Sequence, residues 1–129
     1  MSLNMSYTIE ADEERRVITE KIYGIWKKDT AENYHTDFIE TAEPLLKGKW
    51  AKLINLCNWK PSYPEVVEII SDHLEWCHAN GMVLAINVID NPITINQLKK
   101  MFQGGGTAEI SKIVKTIQEG EKILRENGF

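Results

Sequence analysis

The side chains best suited to chemistry follow the predicted strands, each in a short polar or aromatic stretch. They are Trp26, Asn58, Trp59, Ser62, Tyr63, Asp90, Asn91 and Thr94. In a parallel sheet, ligands bind beyond the carboxyl ends of the strands, where helix N-termini also offer free N–H groups. Aromatic rings beside a few polar groups suit a small amphiphilic or acidic ligand, or the backbone of a protein partner. The alternative is structural, because Ser, Thr and Asn are common helix caps.

The other reactive side chains are better explained by packing. His73, Cys77 and His78 have a spacing that hints at metal, but a third ligand is missing locally, and His73 and Cys77 lie on the predicted buried stripe of a helix. His35 is expected at the edge of an apolar helix face. Cys57 is a nucleophile only by elimination, since no histidine is placed to activate it and a mid-core thiol is usually inert. We therefore expect no catalytic residue, no metal and no cofactor.

Length and composition predict one globular domain over residues 1–129. The chain is 43% hydrophobic and 26% charged, and its 129 residues are enough for a single core. A net charge of −4 argues against nucleic acid and anionic membrane surfaces, which are bound through basic patches. Apolar runs such as Met82–Ile89 are too short to span a bilayer, and the N-terminus lacks the features of a signal peptide. We expect a cytoplasmic protein with residues 1–5 tag-derived or disordered, and with free cysteines.

Hydrophobic periodicity predicts the elements that position these side chains. A hairpin formed by Ser6–Ala11 and Arg16–Trp26 comes first. Pro44 is expected to kink the first helix or to start a separate turn. The remaining elements alternate: helix Asp29–Lys47, strand Trp50–Cys57, helix Ser62–Asn80, strand Met82–Ile89, helix Thr94–Phe102, strand Ala108–Lys115 and helix Thr116–Asn127. Apolar residues on both faces of Trp50–Cys57 are typical of a central parallel strand.

Four capping boxes support this order, each with Glu or Gln three positions after the cap. They are Asp29 with Glu32, Ser62 with Glu65, Thr94 with Gln97, and Thr116 with Glu119. The run Gly104–Gly106 resembles a phosphate loop, but it follows a helix and precedes a strand, so we interpret it as a helix stop. The predicted architecture is α/β, with the order β-β-α-β-α-β-α-β-α and a mixed, largely parallel sheet.

The order of elements and three stretches, GIWKKDTAENYHTDF, WAKLINLCNW and TIQEGEKIL, resemble the SpoIIAA-like (STAS-like) domains. That resemblance implies the SpoIIAA-like fold and kinship with anti-sigma-factor antagonists and Sec14-type lipid-binding proteins. Antagonists have a phosphorylatable Ser in an Asp-Ser-Ser-Gly-like stretch where the helix after the central strand begins. Ser62 occupies roughly that position here, but the local sequence NWKPSYP lacks the Asp-Ser-Ser-Gly pattern.

These observations predict a non-catalytic binding or regulatory module of the bacterial cytoplasm, acting through the loops after the strands. The alternatives are a partner switch phosphorylated at Ser62 and, less favoured, a thiol enzyme using Cys57. Binding predicts a pocket lined by Trp26, Trp59 or Tyr63. Phosphoregulation predicts an exposed Ser62 at a helix N-terminus. A small amphiphilic ligand, a regulatory protein and a homodimer through exposed aromatics or the hairpin edge all stay open as partners.

Overall fold

A computed structural model describes residues 6–60 and 63–129. The expected tag-derived or disordered residues 1–5, and the candidate phosphoacceptor Ser62, lie outside the described residues. The described elements are β1 (Tyr7–Asp12), β2 (Val17–Ile25), α1 (Lys28–Ala42), a 3₁₀ turn (Glu43–Leu45), β3 (Trp50–Lys60), α2 (Pro64–Ala79), β4 (Met82–Val88), α3 (Pro92–Gly105), β5 (Ser111–Val114) and α4 (Ile117–Glu126). This order confirms the predicted sequence of strands and helices, and the 3₁₀ turn contains Pro44 as expected.

The strands form one mixed sheet in the order β1-β2-β3-β4-β5. β1 pairs with β2 in antiparallel fashion, whereas β2 to β5 are parallel neighbours. The predicted α/β fold, with an N-terminal hairpin and a largely parallel sheet, is therefore confirmed. Because β2, β3 and β4 are parallel, their carboxyl ends lie at the same end of the sheet.

Helices cover both faces of the sheet. Side chains of α1, α2 and α3 pack with Ile18, Ile54 and Leu56 in the larger core. Leu124 of α4 packs with Leu53 and other strand residues in the smaller core. The alternation of side chains along β3 thus sends apolar groups to both sides, as a central parallel strand requires.

β3 is longer than predicted and runs past the end of β4. Its pairing with β4 ends at Asn55, opposite Val88, but β3 continues along β2 to the pair Ile25–Lys60. An irregularity after Lys21 shifts the register of this continuation. The expectation that Asn58 and Trp59 lie in a turn was therefore wrong, because β2 offers them a pairing partner beyond the rest of the sheet. We call the paired segments 23–25 and 58–60 the β2–β3 extension.

Of the capping boxes, Thr116 behaves as predicted, since its hydroxyl accepts a hydrogen bond from Glu119 N–H. The box at Asp29 was wrong, because α1 begins at Lys28 without a side-chain cap. The box at Thr94 was also wrong, because Asn91 caps α3 and accepts from the N–H groups of Ile93 and Thr94. Pro92 at the first helical position explains this shift, since proline is suited to a helix start.

The glycine run at the end of α3 has a packing role. A Cβ on Gly105 would lie 2.6 Å from the Ser71 carbonyl oxygen of α2, so only glycine permits this approach. Gly106 then ends the helix with φ of 70°, in the left-handed region that glycine adopts readily. The interpretation of Gly104–Gly106 as a helix stop was right, although α3 extends further than expected.

Candidate functional site

Trp26 and Thr94, which were predicted to line a site, lie in the interior. Trp26 is fully buried, and its indole N–H lies 3.1 Å from the Tyr23 carbonyl and 3.3 Å from the Ser6 carbonyl. The Thr94 side chain is buried and donates to the Trp59 carbonyl over 3.4 Å. These contacts account for both polar groups, so both residues act structurally at the end of the sheet.

Trp59 is also buried, but its polar group is not satisfied. The side chain is 3% exposed, and its ring packs edge-on against Trp26 with centroids 5.4 Å apart. The indole N–H has no hydrogen-bond partner among the residues that the structure describes. Buried donors of this kind are nearly always paired, so this N–H needs an explanation.

The other predicted residues that the structure describes lie on the surface. Asn58, Asp90 and Asn91 are exposed, and Asn91 is occupied as the cap of α3. Tyr63 is 41% exposed and lines a shallow cleft of about 360 Å³ together with Lys27, Lys28, Asp29 and Glu65. The structure therefore separates the predicted set into an interior group and a surface group.

Large apolar side chains are exposed at the same end of the sheet. Ile25 is 62% exposed at the end of β2, and Ile93 is 74% exposed in the first turn of α3, after β4. Tyr63 lies in the connection from β3 to α2, and β3 is between β2 and β4 in the sheet. We call the surface formed by Ile25, Tyr63 and Ile93, with exposed Asn58 and Asp90, the apical face.

Sequence reasoning missed a group of polar side chains buried between the sheet and α1–α2. We call Glu20, Tyr34, Lys52 and His73 the buried network; each is at most 2% exposed. The Lys52 ammonium donates to Tyr34 Oη over 3.2 Å and to His73 Nε2 over 3.0 Å. Glu20 Oε2 lies 3.2 Å from Lys52 Nζ, an ion pair outside hydrogen-bond geometry, and Glu20 Oε1 accepts from the Tyr34 hydroxyl.

The network extends towards solvent through a second histidine. His73 Nδ1 lies 2.8 Å from Nδ1 of the half-buried His35. Because His73 Nε2 accepts from Lys52, the proton of a neutral His73 sits on Nδ1 and is donated to His35. The proton of His35 is then on Nε2. Lys52 also lies 4.5 Å from the centre of the Phe38 ring, which favours a cation.

Burial controls the protonation of these groups. Burial first, and then the Lys52 cation and His35, hold the pKa of His73 well below its usual 6.5. The pKa of His35 is lowered by burial and by Lys52, against the opposing effect of Asp72. Burial and the Glu20 carboxylate raise the pKa of Tyr34 well above 10.0. The histidines and the phenol are therefore neutral at pH 7, and the network holds one cation and one anion.

A small cavity adjoins the network beneath Trp59. Its volume is about 30 Å³. Its polar wall contains Tyr34, Lys52, His73 and Asn87, and Trp59 also lines it. The rest of its wall is apolar, with Ile22, Ile54, Leu56, Ile70, Leu74, Leu98 and Phe102. The two strand-end aromatics thus differ, since Trp59 lines a cavity and Trp26 is packed.

The two cysteines have different surroundings. Cys77 is buried as predicted, 3.5 Å from His73 Nε2, and burial raises the pKa of its thiol to about 12. The prediction that Cys57 is buried was wrong: its side chain is exposed, and Sγ contacts the Val88 carbonyl over 3.7 Å. Cys57 lies in the part of β3 that extends beyond its pairing with β4. Both thiols are free.

Comparison with known proteins supports the fold. No family model and no curated protein matches the sequence. The structure is similar to that of the anti-sigma factor antagonist SpoIIAA in its unphosphorylated form, with a TM-score of 0.62, 14% identical residues, and coverage of 94% of this chain and 97% of SpoIIAA. The predicted SpoIIAA-like fold is confirmed. Within the described ranges, no helix has the length and apolar character needed to cross a bilayer. A shared fold does not transfer a function, which depends on the site.

Proposed function

We propose that the protein is a regulatory module that binds a protein partner through its apical face. The observation that carries this proposal is the exposure of Ile25, Ile93 and Tyr63 around one end of the sheet. Large apolar groups that are exposed together, with a polar rim, are typical of interaction surfaces. Asn58 in β3 and Asp90 after β4 are exposed polar residues at the same end of the sheet.

The similarity to SpoIIAA suggests which class of partner to test first. SpoIIAA is an anti-sigma factor antagonist, so an anti-sigma factor-like protein is the first class of partner to consider. The cleft beside Tyr63 has lysines and carboxylates together, namely Lys27, Lys28, Asp29 and Glu65. Mixed charge of this kind suits a folded protein surface with charges of both signs better than a strongly anionic ligand.

Site-specific photo-crosslinking in the source organism tests the apical face directly. A photoreactive phenylalanine derivative at position 93 or 25 should crosslink one discrete partner. The matched control is position 83, where Val83 is 37% exposed at the opposite end of β4. A crosslink at 83 but none at 93 or 25 would place the interface elsewhere and overturn the proposal.

An affinity measurement with the crosslinked partner then tests the energetic role of Ile93. Ile93→Asp should weaken binding at least tenfold, on the order of 1.4 kcal/mol, because a central apolar contact is replaced by a charge. The variant should remain folded, since a carboxylate in the first turn of α3 is favourable to the helix dipole. Val83→Asp should leave the affinity near that of the wild type.

Regulation by phosphorylation of Ser62 stays a prediction. Its neighbour in sequence, Tyr63, is exposed and occupies the N-cap position of α2, and a helix N-terminus favours the negative charge of a phosphate. Mass spectrometry of gently purified protein tests it. Phosphate on Ser62, together with loss of the position-93 crosslink in Ser62→Asp, would support the switch, whereas an unmodified Ser62 under every growth condition would count against it.

A further inference from the structure

The contact between helices α1 and α2 contains two histidines that face each other. His35 of α1 and His73 of α2 place their Nδ1 atoms 2.8 Å apart, the distance of a hydrogen bond between two ring nitrogens. One nitrogen must donate and the other must accept, so the contact has room for a single proton. The hydrogen bond therefore depends on the protonation of both rings.

We propose that His35 and His73 form an acid-sensitive latch between α1 and α2. The latch is closed while both imidazoles are neutral, and it opens when His35 takes up a proton from solvent. In the closed form the hydrogen bond holds the two helices together at this point. In the open form the charged His35 ring turns towards solvent. The latch works whether or not a partner binds the apical face.

The direction of the hydrogen bond follows from Lys52. The Lys52 ammonium donates to His73 Nε2 over 3.0 Å, so the proton of a neutral His73 is on Nδ1 and is donated to His35. A second proton on His35 has to bind at Nδ1, the atom that accepts this bond. Two N–H groups would then face each other across the contact. Moving the proton of His73 to Nε2 gives no relief, because that nitrogen faces the ammonium group.

His35 is the ring that is free to leave the contact. His73 is 1% exposed and packs against the rings of Tyr34 and Phe38, with centroids 4.8 and 4.7 Å away. His35 is half-buried, and its ring meets those of His73 and Trp76 edge-on, at 5.1 and 5.7 Å. A charged His35 recovers its hydration by turning outwards, whereas a charged His73 would stay buried without it.

The charges around the pair determine the pH at which the latch opens. The titratable groups that act on the two rings come from β2, β3, α1 and α2; they are Glu20, Tyr34, Lys52, Asp72 and Cys77. Burial and then Lys52 lower the pKa of His35 in the closed latch, against Asp72. A histidine in water has a pKa of about 6.5. The closed form is therefore favoured above pH 6.5, and each pH unit below it favours the open form by up to about tenfold.

The latch joins two helices whose first residues form one surface cleft. Residues 27–29 at the start of α1 line this cleft together with Tyr63 and Glu65 at the start of α2. Opening removes the two ring contacts of His35 but leaves those of Phe38 with α2. We therefore expect acid to loosen α1 against α2, and so to change the cleft, while the sheet stays intact.

NMR of ¹⁵N-labelled protein tests the latch directly. At pH 7.5 the two Nδ1 atoms should show a scalar coupling across the hydrogen bond, with the proton covalently bound to His73. Towards pH 5 this coupling should vanish, with a midpoint below pH 6.5, as the ring nitrogens of His35 take the shifts of an imidazolium. The proton–proton contacts of His35 with Trp76 should disappear in the same titration, whereas those of Phe38 with His73 should persist.

Two histidine variants separate the latch from other effects of acid. His35→Gln has no group at this position that titrates between pH 7.5 and pH 5, so the acid-induced shifts of the Trp76 indole and the Tyr63 amide should be lost. The matched control is His78→Gln, which changes an exposed histidine of the same helix and should keep them. Three results would overturn the proposal: a proton on His35 Nδ1 at pH 7.5, a His35–Trp76 contact that persists when His35 is charged, or unchanged acid-induced shifts in His35→Gln.

Discussion

The sheet has an apolar side under α4 and a partly polar side under α1–α3. Under α4, the described core consists of residues such as Leu53, Ile86 and Leu124. Under α1–α3, an apolar core surrounds the ion pair of Lys52 with Glu20 and a cavity. Apolar residues of similar size would often be as stable as a buried ion pair. The α4 side therefore has only what packing requires, whereas the other side keeps groups that packing alone does not need.

The largest expected effect comes from breaking the ion pair on the polar side. Lys52→Met leaves the Glu20 carboxylate buried without its cation, so the free energy of unfolding should fall by about 3–5 kcal/mol. Urea denaturation at pH 7.5 measures it. Adding Glu20→Gln removes the orphaned charge but keeps an acceptor for the Tyr34 hydroxyl, so the double variant should recover most of the loss. A double variant as unstable as the single one would show that the pair acts through shape rather than charge.

Truncating a side chain on the apolar side should lower the free energy of unfolding by an amount that does not depend on pH. Leu124→Ala removes a fully buried side chain from the core under α4 and should destabilise the fold by about 3 kcal/mol. The loss should be the same at pH 7.5 and pH 5.5, since apolar packing involves no proton. Thermal unfolding at both pH values measures it. A strongly pH-dependent loss would mean that the two sides are coupled through the sheet.

Acid should weaken the polar side selectively. The pKa of His73 is well below 6.5 in the folded chain, so below pH 6.5 the unfolded chain binds a proton that the folded chain does not. Stability is then full above pH 6.5 and falls below it, by about 1.4 kcal/mol per pH unit from His73. The lowered pKa of His35 acts in the same direction.

Urea unfolding between pH 7.5 and pH 5.5 measures this dependence. His73→Gln should flatten the profile, while His78→Gln, which changes an exposed histidine outside the network, should keep the wild-type slope. A flat wild-type profile would contradict the neutral state assigned to His73.

The smallest expected effects are at the helix caps. Removing a cap should lower the free energy of unfolding by the same amount on the two sides of the sheet. Asn91→Ala on α3 and Thr116→Ala on α4 each remove a side-chain acceptor from helix N–H groups. Each should cost about 1 kcal/mol. Denaturant midpoints of the two variants provide the measurement. A much larger loss at Asn91 would indicate that the cap also shapes the apical face next to Ile93.

The sequence predicted the architecture well because periodicity reports which face of each element is apolar. It failed where tertiary pairing decides, as in β3, which continues to Lys60 only because β2 lies beside it. The site was harder. Ile18, Glu20 and Ile22 lie on the same face of a predicted strand. The two apolar neighbours on that face are the signal that could have revealed Glu20 as buried. Lys52 lies in a strand that is apolar on both faces, but its partners come from other elements, and no local pattern shows them.

The distribution of exposed and buried aromatics could not be read from the sequence either. Trp26, Trp59 and Tyr63 all lie at or after the end of a predicted strand, yet two are buried and one is 41% exposed. In the β2–β3 extension Trp59 packs against Trp26, whereas Tyr63 follows the strand and occupies the N-cap position of α2 without a side-chain capping bond. Strand ends were a correct place to look for these side chains, but their orientation depends on contacts distant in sequence.

The β2–β3 extension has a dynamic consequence. Beyond Asn55, β3 pairs with β2 alone in the described part of the chain, and a ribbon of two strands is only marginally stable by itself. Amide hydrogens of residues 58–60 should therefore exchange faster than those of residues 51–55, through local opening that leaves the sheet intact. Trp59 belongs to this ribbon and lines the cavity. Local opening of the ribbon would therefore expose the cavity without global unfolding.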